Sequence, residues 1–89
     1  MYKQELLALT GQEIGVSKWF HVTQDKVNAF ADATSDYQFI HTDPERAAAA
    51  GFGGTIAHGF FTLSMLAAWS DEALPTVKGM HMSVNYGTE

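Results

Sequence analysis

An aspartate and a histidine, Asp36 and His41, stand in a stretch that otherwise reads as loop: Asp36-Tyr-Gln-Phe-Ile-His41. A carboxylate and an imidazole on one loop can hold a single water between them. One accepts its proton, the oxygen attacks an electrophilic carbon, and a proton is returned. The same spacing fits a plainer reading, in which Asp36 caps the loop and His41 is an ordinary hydrogen-bonded histidine. Farther along, His58-Gly59 opens a run without charge, Phe60 to Trp69. A helix apolar on every face is one that a fold buries, so residues 58–70 are expected to form a buried helix too short to span a bilayer. Its first N–H groups carry a partial positive charge. Gly59 lets a substrate approach the backbone, and its N–H could receive a developing oxyanion, although glycine at a helix start also serves tight packing. Base, acid and oxyanion donor together suggest chemistry at a carbonyl, a thioester above all. His58 itself reads as structural.

The elements that must position these groups follow from local signals. Thr23 is a helix N-cap with Asp25 in the first turn, and Val27, Phe30, Ala31 and Thr34 form one helical face. Asp36 to Thr42 reads as irregular. Asp43-Pro44-Glu45 restarts a helix, with Asp as cap and Pro at the first position, and Gly51 stops it. Val16 to Val22 and about Lys78 to Tyr86 alternate like strands. Asp71, Glu72 and Pro75 return the chain to solvent. A buried helix needs a sheet over it, yet only two or three strands can be found, and two-stranded sheets are marginal alone. The expectation is a domain that completes its core with further strands or with another chain.

Composition narrows the function. Hydrophobic residues make up 46% of the chain, a value for a folded domain. The net charge of −5 and the scattered bases Lys3, Lys18, Lys26, Arg46 and Lys78 argue against nucleic acid. With no cysteine there is neither a disulfide framework nor a thiolate site. Residues 1–15 are too polar for a signal peptide, which reads as a cytoplasmic protein with no membrane partner. The Gly51-Phe-Gly-Gly54 loop lacks the Lys-Ser/Thr of a phosphate loop. His41 and Asp43 with His58 or His81 could be two histidines and a carboxylate for a metal. Asp43 is already explained as a cap, however, so no metal site is assigned. Ser64 and Thr62 sit inside the apolar helix, where their hydroxyls can bond back to the preceding turn.

Taken together, Ala-x-Ala-Thr-x-Asp-x-Gln-x-Ile-His-x-Asp-Pro, then Gly-Phe-Gly-Gly-Thr-Ile-Ala-His-Gly and an apolar helix, resembles the MaoC-like hydratase/dehydratase family, in particular its nodulation-protein-N-like group. The likeness runs from about Gly11 to Gly87. It implies an α+β hotdog fold, an antiparallel sheet around a central helix at residues 58–70. Residues 1–89 would be the N-terminal portion of one such domain, without its later strands. It implies R-specific hydration of trans-2-enoyl-CoA or the reverse dehydration, with no metal or redox cofactor. The family's catalytic pair matches Asp36 and His41, its thioester-oxygen donor matches the Gly59 N–H, and supporting groups match Gln38 and Ser64. Phe52, Phe60 and Phe61 are expected to line the acyl pocket. Gln38 stands for the usual Asn, Ser35 for the usual Gly and Phe39 for a frequent Pro. A hotdog thioesterase would need a carboxylate on or near the central helix, and residues 58–70 have none. The other readings are an acyl-CoA-binding module without turnover and an inactive hotdog fragment. The uncovered sheet edge and helix imply a homodimer or higher homo-oligomer.

Overall fold

Helix signals written into short stretches account for most of the architecture. In the computed structural model, which describes residues 1–87, six short α-helices follow in order. They are α1 (Lys3–Ala8), α2 (Gln24–Thr34), α3 (Phe39–Thr42), α4 (Pro44–Ala47), α5 (Gly59–Ser64) and α6 (Leu66–Ala73), with a wide π-type turn, Ala48–Phe52, after α4. They belong to two compact units. One is Phe20–Met65; the other joins Met1–Trp19 to the segment from Leu66 onward.

In the Phe20–Met65 unit, the Thr23 hydroxyl accepts from Lys26 N at 3.3 Å and starts α2. The Asp43 carboxylate accepts from Arg46 N at 3.1 Å and starts α4 ahead of Pro44. Both caps satisfy N–H groups that a helix start leaves open. Gly51 ends the second helical stretch with φ +95°, a conformation open to glycine at little cost. Val27 and Ala31 of α2, Ala47 of α4 and Phe61 of α5 are buried, and so are two polar rings, His41 and His58. The segment 36–42 is less irregular than expected: Phe39–Thr42 closes one helical turn, with Asp43 N bonded to Phe39 O at 2.9 Å.

In the other unit, the Glu5 carboxylate accepts from Tyr2 N at 3.1 Å and steadies α1. The N-terminal ammonium donates to Thr76 O at 2.9 Å, and Lys78 N donates to Met1 O at 2.8 Å. Gly15 runs so close to α6 that a Cβ there would lie 1.7 Å from the Ala73 carbonyl oxygen. Leu6, Ile14, Ala67, Leu74, Val77 and Met80 are the apolar side of a cavity of about 440 Å³, which Ser70, Asp71 and Asn85 also line.

Two expectations need correction. Among the described residues no strand forms: residues 16–22 and 78–86 run without ladder partners. A strand persists only where a neighbour pairs its N–H and C=O groups, and two separate segments do not supply one another. The sheet of the expected hotdog is therefore not seen. Nor is residues 58–70 one buried helix. Met65 interrupts it, and the second piece continues through Asp71 and Glu72 to Ala73. Phe60 is 74% exposed, and Leu63 and Leu66 are also exposed, because no sheet lies over them. No helix among the described residues is long and apolar enough to cross a membrane.

The Gly15 contact yields a stability test. Gly15→Ala forces the new methyl into the Ala73 carbonyl and should cost about 3 kcal/mol, near the upper end for overpacking. Urea unfolding of the two chains measures it.

Candidate active site

The site is assembled from three segments of the Phe20–Met65 unit: the turn after α2, the short helix α3, and the loop leading into α5. Ser35 ends α2 in the left-handed conformation, φ 61° and ψ 24°, and so turns the chain into Asp36. The Asp36 carboxylate is half-exposed and lies 3.5 Å from Gln38 N, a loose turn contact. His41 sits on α3 and is buried. Its Nδ1 is 2.7 Å from Ile56 O, so Nδ1 carries the proton and donates, leaving the Nε2 lone pair free. His58 is 2% exposed and precedes α5. Its Nε2 donates to the Asp36 backbone oxygen at 3.0 Å and lies 3.9 Å from Asp36 Oδ2.

The two imidazoles stack, with centroids 3.9 Å apart and planes 24° from parallel. Phe30 of α2 backs His58 at 4.9 Å and meets Phe61 edge-on at 5.6 Å. One Asp36 oxygen and one nitrogen of each histidine fall within 4.8 Å of one another. A water bonded to two partners at about 2.8 Å each bridges such a gap. An ion would need two in-plane lone pairs converging at about 2 Å, whereas stacked rings direct theirs side by side. The arrangement therefore suits proton transfer to and from a held water better than metal binding.

Supporting contacts come from residues that no sequence signal singled out. The Gln24 amide donates to His41 O at 2.7 Å and to Asn28 Oδ1 at 2.9 Å, and accepts from Thr55 Oγ1 at 2.5 Å. Ile56 N donates back to Ile40 O at 2.9 Å. Nothing in the order of residues ties position 24 to 55 or 56 to 40, so these contacts were legible only in space. Tyr37, beside Asp36, is hydrogen-bonded to the Asp32 carboxylate. That bond, with desolvation and the neighbouring negative charge, raises its pKa above the ordinary tyrosine value.

The remaining expected residues are placed as follows. Gly59 opens α5, and the space where its Cβ would lie is empty. The side chain of Gln38 is exposed, and its contribution runs through its backbone: Gln38 O accepts from His41 N at 3.0 Å. Ser64 is exposed, and its hydroxyl donates to Phe60 O at 2.6 Å, along its own helix. Phe61 is packed into the core, while Phe52 and Phe60 are exposed, so the three do not share one lining. Asp43 serves as a cap and stays out of the cluster. His58, which reads as structural in the sequence, stacks on His41 and lies beside Asp36.

Two buried imidazoles and one half-exposed carboxylate thus gather where the chain enters α5. The chain belongs to the MaoC-like domain family, whose model matches residues 5–88. It is 53% identical over 83 residues to 3-hydroxyacyl-thioester dehydratase Z of Mycobacterium tuberculosis, covering 93% of this chain and 54% of that protein. It is 50% identical over 84 residues to Nodulation protein N of Rhizobium meliloti, covering 93% of this chain and 52% of the relative. The chain thus spans about half the length of the curated relatives it matches.

Ser35 gives the test here. A side chain in the left-handed region costs about 1 kcal/mol or more, which glycine avoids. Ser35→Gly should raise stability by about 1 kcal/mol and the melting temperature by about 4–8 °C. Thermal unfolding followed by circular dichroism checks it.

Proposed function

We propose that the protein hydrates trans-2-enoyl-CoA to the R-3-hydroxyacyl-CoA, or runs the reverse dehydration, with Asp36 and His41 activating one water. The observation that carries this reading is the His41 tautomer. Nδ1 donates to Ile56 O, which leaves Nε2 as the basic nitrogen, and one nitrogen of the ring lies within 4.8 Å of an Asp36 carboxylate oxygen. In hydration the water loses a proton to this pair and its oxygen bonds to C3. The C2=C3 π electrons move toward the thioester carbonyl, and C2 then receives a proton. The thioester oxygen rests on the Gly59 N–H, where the enolate-like charge collects. Gln38 and Ser64 support the loop and the helix, and of the three phenylalanines the exposed Phe60 of α5 meets the acyl chain, while Phe61 is held in the core. The name of the mycobacterial relative, a 3-hydroxyacyl-thioester dehydratase, supports the substrate class.

The rest of the reading goes with this chemistry. Residues 1–89 are the N-terminal portion of one hotdog domain, whose sheet covers the helix from residue 58 onward. The reaction uses no metal or redox cofactor. A homodimer or higher homo-oligomer fits the exposed Phe60, Leu63 and Leu66, and a cytoplasmic location fits an acyl-CoA substrate. One observation favours a second reading, an acyl-CoA-binding module without turnover: the Ser64 hydroxyl is bonded to Phe60 O and turned into its own helix. Retention of acyl-CoA without conversion would select it.

Two variants test the main reading. Asp36→Asn should lower kcat by about 10²–10⁴-fold with KM little changed, as the loss of an acid–base group requires. The loss of enoyl-thioester absorbance follows it; an equal change in both constants, or none, sinks the assignment. Gly59→Ala has room for its methyl and a helical backbone, so stability should hold or rise by up to about 1 kcal/mol. Turnover should nevertheless fall, because the methyl occupies the space through which the thioester oxygen approaches. Parallel melting and rate measurements separate the two effects.

A further inference from the structure

We propose that His58 is a positioning residue for the Asp36/His41 pair, acting through the hydrogen bond from its Nε2 to the Asp36 backbone. The inference rests on the water-activation reading and goes beyond it. His58 touches both members of the pair. Its Nε2–H holds the Asp36 carbonyl at 3.0 Å, its ring stacks on His41 at 3.9 Å, and Phe30 lies against it at 4.9 Å. Its own backbone leads directly into Gly59. One buried ring therefore sets the carboxylate loop, the imidazole and the start of the donor helix relative to one another.

The second ring nitrogen strengthens the case. His58 Nδ1 is buried and has no hydrogen-bond partner. A histidine that served only to fill space would carry this penalty for nothing, since phenylalanine has similar shape and no polar atom to strand. The position is explained if the other nitrogen does something phenylalanine cannot. Here that is to donate to Asp36, a residue whose peptide has no helical partner beyond the left-handed turn at Ser35.

Two substitutions separate the hydrogen bond from the packing. His58→Phe keeps a ring against His41 and Phe30 but removes the donor. His58→Gln keeps an N–H at similar reach without the full ring. With both shown folded by circular dichroism, kcat on a short trans-2-enoyl-CoA should fall about 10–100-fold in the phenylalanine variant, the scale of a misplaced catalytic group. KM should stay within about twofold, and glutamine should restore most of the loss. A phenylalanine variant at wild-type kcat, a loss confined to KM, or an equal loss in both variants overturns the proposal.

Nuclear magnetic resonance of the unmodified chain reads the same point without turnover. Imidazole ¹⁵N shifts should show His58 protonated at Nε2. The Asp36 carbonyl ¹³C resonance should move in His58→Phe and return in His58→Gln. The opposite tautomer, or an unmoved carbonyl, overturns the proposal even if a variant fails to fold. Absence of turnover in the wild type with these shifts intact would instead sink the hydratase reading and leave the positioning role standing.

Discussion

The stacked pair of buried imidazoles is the constraint on which the Phe20–Met65 unit depends. A ring nitrogen taken out of water must find a partner or cost about 1–3 kcal/mol. His41 finds Ile56 O and His58 finds Asp36 O. Neither carbonyl belongs to a helix or a sheet ladder. The rings thus do for two loops what backbone pairing does for regular structure, and they fix the 36–42 and 53–58 segments against each other. Gln24 adds a third tie, from α2 to both. The polar chemistry and the packing of this unit are the same set of contacts. A change that loosens the stack would be felt in both.

Local signals made the helices legible. Thr23 and the Asp43-Pro44 pair act over three residues, and both caps form where their chemistry requires. Asp36 and His41 stood out as an acid and a base on one loop, and more so through the motif Asp-x-Gln-x-Ile-His that the MaoC-like resemblance rests on. His58 was hidden by its surroundings: in an apolar run it reads as helix-start packing, and its bond partner lies 22 positions earlier in the chain. The turn at Phe39–Thr42 was missed for a related reason. One helical turn has no periodicity to detect, and here it is held by Thr42, whose hydroxyl reaches Tyr37 O and Gln38 O at 3.2 and 3.3 Å.

Long-range pairing is where sequence pattern and structure part. Alternation in residues 78–86 and aromatic richness in 16–22 describe side chains suited to a sheet, and they carry no information about which neighbour supplies the hydrogen bonds. Membership of the MaoC-like family rests on the residue pattern from 5 to 88, not on a ladder. The interruption at Met65 fits the same account. A helix of six residues is well below the length that stands alone in water, so α5 and α6 depend on what they pack against. For α5 that is Phe61 on Phe30.

This dependence bears on how a thioester could be held. Phe61 cannot leave its place without removing the contact that anchors α5, and with it the position of Gly59 and His58. If the proposed thioester binds here, its acyl chain would have to meet side chains with no structural duty, and on α5 those are Phe60 and Leu63, three residues apart on one face and both exposed. Recognition of the apolar part of a substrate and covering of that face are then one requirement. On the proposed reading, whatever lies over Phe60 and Leu63 would also form the far wall of the acyl site, with the proton chemistry left to ring nitrogens already pinned on the near side.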